Sequence, residues 1–261
     1  MTIKALVDAL KQQFKPHHGL AVAVSGGVDS SLLLAAACDY YGAQNCLAVI
    51  AVSPSLADQS LADARKLCAD LKVELIELAT NELENKYYIA NKGDRCFWCK
   101  QELFMQALPI AVARNLPLAY GENYDDMAHE RAGRISAEQN KILAPLRDAS
   151  FSKNDVRRYA RALKLSVADK PAAPCLASRI AVGQAVSLES LEVVAIIEQQ
   201  LRGKGYQVFR ARIIGSNKVS FEFDENELPR AIAESKSIAK LATAQGMVAD
   251  EITTYCSGSV A

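Results

Sequence analysis

Neither sign of charge dominates this sequence. Thirty lysines and arginines face thirty aspartates and glutamates over 261 residues, a formal net charge of zero. Such a chain lacks the broad basic surface by which proteins usually hold nucleic acid, so no nucleic-acid partner is expected. No apolar run approaches membrane-spanning length, so no membrane partner is expected either. Internal repeats and low-complexity stretches are missing. The opening "MTIKALVDAL" reads as an amphipathic helix and not as a secretory leader. The seven cysteines are therefore expected as reduced thiols in the cytoplasm.

What is present is an alternation. Half of the residues are hydrophobic, enough for a substantial core. Short apolar runs, "LAVAV", "CLAVIAV", "KVELIEL" and "LPLAYG", read as buried strands. Helical stretches lie between them, "SSLLLAAACDYYG" ending at the natural cap Gly42. Strand–helix alternation predicts an α/β fold with a doubly wound parallel sheet over residues 1–170. Residues 171–186 lack periodicity and are rich in proline and small residues, the mark of a functional loop at a domain junction. Residues 187–261 read as a small α+β domain: a helix, the strands "QVFRARII" and "KVSFEF", one helix from "LPRAIAES" to "ATAQG", and a last strand at "MVADEI".

The first strand runs into Ser25-Gly26-Gly27-Val28-Asp29-Ser30 and then a helix. Glycines let backbone N–H groups come close to a phosphate, the helix N-terminus adds positive potential, and the serine hydroxyls add donors. The G-x-x-x-x-G-K-[ST] pattern is absent, so the lysine of an ordinary P-loop is missing. The plainer reading is a turn capped by Asp29 or Ser30. In its strand–turn–helix setting, SGGVDS resembles the signature of the PP-loop ATP pyrophosphatases, which include GMP synthetase, NAD synthetase and tRNA thiolases. The resemblance implies that the loop binds the ATP β/γ-phosphates as leaving group while a substrate oxygen attacks the α-phosphorus. It also places Ser53, in "AVSPS", near the nucleotide.

Cysteines supply the second cue. Cys96 and Cys99 stand two residues apart at a helix start in "DRCFWCKQELF", and Cys175 lies in "DKPAAPCLASRI". Close thiolates suit a shared metal centre. One C-x-x-C leaves three readings open: a zinc site completed by Cys175 and His129, a redox dithiol, or a [4Fe-4S] cluster whose fourth iron is open to sulfide. No second C-x-x-C is present. Cys38, Cys46, Cys68 and Cys256 read as core or surface.

Taken together, "DRC-x-x-CK-x-x-LF", "P-L-R-D" with a following "K-x-D-V-R", and "DKPA-x-PCLASRI" resemble the LarE family of ATP-dependent sulfurtransferases, over nearly the whole chain. The resemblance implies ATP and Mg2+ as cofactors. The carboxylates of pyridinium-3,5-biscarboxylic acid mononucleotide would be adenylated and converted to thiocarboxylates, in the nickel-pincer nucleotide pathway of lactate racemase. The three-cysteine arrangement resembles members that relay sulfur, from sulfide or another donor, through a [4Fe-4S] cluster on Cys96, Cys99 and Cys175. A homo-oligomer is implied as well.

Guanidinium groups suit the substrate phosphate. Arg210 and Arg212 alternate along one strand and share a face. By resemblance they form the phosphate pocket with Ser178, Arg179 and Glu198. Lys170 is a further phosphate candidate, Trp98 packs in the core or against the site, and Asp125 and Asp126 either cap the next helix or help hold magnesium. Two departures from the family pattern stand out: "RIAVG" in place of "RIPYG", at Ala181 and Val182, and Cys256 in place of an arginine near the C-terminus. The alternative enzymes are a tRNA thiolase, disfavoured by the neutral charge, and an amidating PP-loop ligase, disfavoured by the missing glutaminase constellation. The non-enzymatic alternative is a nucleotide- and zinc-binding regulatory protein.

Overall fold

The structure is a computed structural model that describes residues 2–128, 132–171 and 174–255. Its contacts divide the chain into two units, Met1–Asn81 with Cys96–Ala173, and Glu82–Arg95 with Pro174–Ala261.

The first unit is built on a parallel sheet of β1 (Leu20–Ala23), β2 (Cys46–Val52), β3 (Glu74–Ala79) and β4 (Leu118–Tyr120), in the order β3-β2-β1-β4. Every residue of β1 is buried. Alternate β1 side chains enter two different cores. Leu20 and Val22 join Leu6, Leu10 and Phe14 of α1 (Ile3–Phe14) and Leu32 and Leu33 of α2 (Val28–Tyr41). Ala64, Leu67 and Cys68 of α3 (Asp58–Leu71) belong to that same core. Ala21 and Ala23 face Phe104, Ala107 and Ala111 on the other side of the sheet. A strand covered on both faces must be apolar at every position, which is why "LAVAV" shows no alternation.

The segment Glu82–Arg95, with α4 (Lys86–Ala90), belongs to the second unit. The chain returns to the first unit along α5 (Arg95–Ala113), which carries Cys96 in its first turn. Helices α6 (Ala132–Gln139), α7 (Pro145–Asp148) and α8 (Lys153–Ala162) complete it.

In the second unit β5 (Phe209–Ile213) pairs antiparallel with β6 (Lys218–Phe223), and β6 pairs parallel with β7 (Val248–Thr254). The helix α9 (Leu188–Gly203) opens on a capping box made by Ser187 and Ser190. Tyr206, Phe209, Phe221 and Phe223 fill the core. The single helix expected over 228–246 breaks at Glu234 into α10 (Leu228–Ala233) and α11 (Ser235–Thr243). There ψ rises to 11°, and the Glu234 carboxylate accepts from Arg230 Nε at 2.9 Å.

Candidate active site

The glycine turn follows β1, between β2 and β4. In that strand order β1 is where the connections diverge to either side, the usual place for a ligand in an open α/β sheet. Gly26 has φ +69°, and a Cβ there would stand 2.2 Å from the Ser60 carbonyl oxygen, so only glycine fits. Gly27 is the N-cap of α2 and makes no side-chain cap hydrogen bond. The first N–H groups of a helix without a side-chain cap are left for water or an anion. Ser30 Oγ stays inside the turn: it accepts from Ser25 N at 3.0 Å, donates to Gly27 O at 3.3 Å and lies 3.2 Å from Ser25 Oγ. Gly121, just past β4, packs so closely that a Cβ would stand 2.5 Å from Ser30 N. Ser53 follows β2, and its Oγ accepts from Ser55 N at 3.3 Å.

Gly27 is thus the helix N-cap, while the Ser30 hydroxyl closes the turn, as the plainer reading allows. Asp29 is ion-paired with Lys153 Nζ and accepts from Asn123 Nδ2 at 3.0 Å. Lys170 Nζ pairs with Asp63 and reaches Gly26 O at 3.4 Å. Two lysines, one from α8 and one beyond it, thus stand at a turn whose motif has none. Lys153 sits inside the "K-x-D-V-R" stretch, but no local pattern marks it as facing the turn. Its backbone N–H donates to Asp125 Oδ2 at 2.8 Å, so Asp125 serves the first turn of α8. Asp126 accepts from Asn123 Nδ2 at 3.0 Å.

Beyond β4, Glu122 is buried and accepts from Tyr120 Oη at 2.6 Å, Arg134 Nε at 3.1 Å and Arg147 Nη1 at 3.1 Å. Burial pushes its carboxyl up. The hydrogen bonds from Tyr120 and Arg134 outweigh this and hold it below the usual carboxylate range.

Among the described residues the six cysteines are free thiols. Cys96 is exposed, and Cys99 and Cys175 are half-buried. Trp98 is half-buried, edge-on to Phe97 with ring centroids 4.9 Å apart. Cys46 and Cys68 are buried in the first core, and burial pushes the Cys68 thiol up to about 11. Among the described residues no group of three or more His, Cys, Asp or Glu side chains is arranged to hold a metal ion. His129 and Cys256 lie outside the described residues.

In the second unit Arg179 is 2% exposed. It donates from Nε to Glu198 Oε1 at 2.8 Å and from Nη2 to Glu198 Oε2 at 3.1 Å. Its Nη1 donates to the carbonyls of Pro174 at 2.5 Å and Cys175 at 3.2 Å and to Ser178 Oγ at 2.9 Å. Ser178 Oγ itself donates to the Cys175 carbonyl at 2.7 Å. The backbone around Cys175 is thereby pinned by Ser178 and Arg179. Arg210 and Arg212 share the face of β5 opposite Phe209, Ala211 and Ile213. Arg212 pairs with Glu222 at 2.5 Å and donates to Ser178 O at 3.2 Å. Arg210 donates to Phe209 O at 2.5 Å and lies 4.7 Å from the Tyr255 ring centre. Burial, with Arg179 and Arg212 nearby, makes its charge harder to hold than that of an ordinary arginine. A cation so placed favours an anionic ligand. The departure at Ala181 has a structural use: its N–H donates to Ile213 O at 2.9 Å, a bond proline could not make.

The NAD synthase family matches residues 2–95, the part that carries the glycine turn. The protein slr1717 of Synechocystis, itself uncharacterised, is 37% identical over 212 residues, 80% of this chain and 78% of its own. MJ0830 of Methanocaldococcus jannaschii, also uncharacterised, is 28% identical over 240 residues, 90% of this chain and 88% of its own. The pyridinium-3,5-bisthiocarboxylic acid mononucleotide synthase of Lactiplantibacillus plantarum is 29% identical over 209 residues, 79% of this chain and 74% of its own. With a PP-loop at the diverging point of a parallel sheet, a cysteine pair opening α5, and PCLASR pinned in the second unit, the chain belongs to the LarE family of PP-loop proteins.

Proposed function

We propose that this protein is an ATP-dependent sulfurtransferase that turns the carboxylates of pyridinium-3,5-biscarboxylic acid mononucleotide into thiocarboxylates. The observation that carries the reading is the helix start at Gly27, without a side-chain cap and flanked by Lys153 and Lys170. It suits a pyrophosphate leaving group. The name of the Lactiplantibacillus plantarum relative supports the substrate.

In the first step a substrate carboxylate oxygen bonds to the α-phosphorus of ATP. The bond from that phosphorus to the β-phosphate oxygen breaks, and pyrophosphate leaves. The N–H groups at Gly27 and the two lysines take up the charge that develops on the leaving group. Magnesium usually holds to one or two carboxylates plus substrate phosphates, and Asp29 is the carboxylate that fits this. Arg210 and Arg212 receive the substrate phosphate, while Arg179, its donors engaged by Glu198 and the Cys175 loop, positions that loop. In the second step a sulfur nucleophile bonds to the acyl carbon, the carbon–oxygen bond to AMP breaks, and a thiocarboxylate remains. Each step needs no oxidant when the sulfur arrives as sulfide.

The finer reading places a [4Fe-4S] cluster on Cys96, Cys99 and Cys175. It rests on their number and spacing. Family resemblance extends the proposal to sulfide or another donor as sulfur source, to a homo-oligomer and to a cytoplasmic protein.

The test is anaerobic purification with iron, zinc and sulfide analysis, followed by reaction with ATP, magnesium, sulfide and the dicarboxylate nucleotide. The expected result is pyrophosphate, AMP and more than one thiocarboxylate per chain, with Cys175 unchanged in mass. Absence of substrate-dependent pyrophosphate release overturns the PP-loop chemistry. One thiocarboxylate per chain with loss of about 34 Da at Cys175, the mass of hydrogen sulfide, overturns catalytic relay in favour of a sacrificed cysteine.

A further inference from the structure

The second unit contains a buried amide that the reaction above does not use. Asn91 is 1% exposed and ends α4 in the left-handed region, at φ 47°. Its Nδ2 donates to the carbonyls of Ala181 at 2.9 Å and Gln184 at 3.0 Å, with a longer contact to Ile180 at 3.3 Å. Two hydrogens serve three acceptors, so one is shared. Its Oδ1 accepts from Arg95 Nη1 at 2.6 Å, and both residues are buried. The backbone doubles the connection: Gly183 N donates to Asn91 O at 2.9 Å, and Val186 N to Ile89 O at 2.9 Å.

The chemistry is selective. A carboxamide offers two donors and an acceptor on a short stem, and asparagine tolerates the left-handed backbone. Aspartate would aim a charged oxygen at carbonyl oxygens. Glycine would keep the backbone and lose every side-chain bond. The segments joined are also distinctive. One ends at Arg95, the residue before Cys96. The other continues directly from Cys175, Ser178 and Arg179.

We propose that Asn91 is a positioning residue for sulfur transfer. It locks the chain entering Cys96 to the turn that follows the Cys175 loop, so that the two lead-ins to the thiols are held as one piece. The inference rests on the sulfurtransferase reading above. Misplacing a reacting group by about 1 Å can lower a rate on the order of a hundredfold, which is what such a lock prevents.

The test uses the full chain with Asn91→Gly and Asn91→Asp. Amide hydrogen exchange is followed in peptides covering 89–95, 180–186 and the β5–β6 hairpin. Pyrophosphate and thiocarboxylate are measured in the same reaction. In Asn91→Gly the first two segments should exchange about tenfold or more faster, together, with the hairpin unchanged. Pyrophosphate release and KM for ATP should hold, while thiocarboxylate formed per pyrophosphate falls about tenfold or more. Asn91→Asp should show the same split. Should Asn91→Gly fail to fold, Arg95→Met, which removes only the Oδ1 partner, is read for the same ratio. A proportional fall of both products would show a merely structural role and overturn the proposal, as would unchanged exchange in 180–186. If the wild type makes no thiocarboxylate at all, the sulfurtransferase reading has failed, and the exchange measurement alone decides the lock: joint opening of the two segments upholds it and independent behaviour overturns it.

Discussion

Arg179 and Glu198 form a two-pronged ion pair with both side chains nearly solvent-free, 2% and 1% exposed, and the same guanidinium holds the carbonyl of Cys175. The pair therefore joins α9 to the loop that carries a proposed sulfur-handling thiol.

Removing one partner of such a pair strands a buried charge and typically destabilises by about 3–5 kcal/mol. Arg179→Met should lower stability by that order, read by chemical denaturation, and abolish sulfur transfer. Arg179→Lys should not rescue it, since an ammonium cannot meet both Glu198 oxygens and the Cys175 carbonyl from one plane. Wild-type stability in Arg179→Met would contradict the assignment.

Gly26 and Gly27 should behave differently as alanines. At Gly26 the added Cβ meets backbone at 2.2 Å with φ +69°, so Gly26→Ala should fold poorly. At Gly27, beyond its chain neighbours and its own helix, the added Cβ meets among the described residues just Ser25 Oγ, at 3.3 Å. Gly27→Ala should fold, with a loss of about 1 kcal/mol for a poorer N-cap. It should nevertheless lose pyrophosphate release, because the methyl occupies the side from which phosphate approaches. A melting curve and a pyrophosphate assay on both variants separate the two effects.

The lysines carry the charge that the motif omits. A hydrogen bond to a charged group is worth about 1.5–3 kcal/mol, so Lys153→Met and Lys170→Met should each reduce pyrophosphate release about 10- to 100-fold. Lys153→Met also frees Asp29 of its competing ammonium, and a lower magnesium requirement should follow. Equal rates in variant and wild type would remove either lysine from the phosphate site.

Thiol chemistry should sort the cysteines. Cys96 is exposed, while Cys68 is buried with its thiol pushed up to about 11. In the folded protein near neutral pH, iodoacetamide should label Cys96 first and leave Cys46 and Cys68 unmodified, as read by peptide mass spectrometry. Early labelling of Cys68 would show that the first core is not closed over it.

Glu122 supplies a pH dependence. Its folded carboxyl titrates below the ordinary value, so its contribution to stability is complete above that value and is lost as pH falls through the lowered one. Denaturation series from about pH 7 to about pH 3 should show Glu122→Gln less stable than wild type at neutral pH, with the difference shrinking on the acid side. A difference that grows as pH falls would contradict the sign.

Much of this arrangement was legible along the chain. Buried strands declare themselves as runs such as "LAVAV", because a strand covered on both faces has no polar side, and a strand–turn–helix with two glycines can be read locally. The same holds for the shared face of Arg210 and Arg212, which follows from the two-residue period of a strand.

Only the tertiary structure decided which distant groups arrive at those local features. Lys153 comes 124 positions after Asp29 in sequence to pair with it, and no periodicity records such a meeting. The return of 82–95 to the second unit, and the amide of Asn91 that ties it to residues 180–184, depend on one left-handed residue and a few carbonyl positions. Arg179 looks along the sequence like a cation waiting for an anion, and the fold supplies Glu198 to it from α9. Sequence fixes what each residue can offer within its own turn or strand; the partner that takes up a charge or an amide is set by packing, because that choice depends on distances the chain order does not contain.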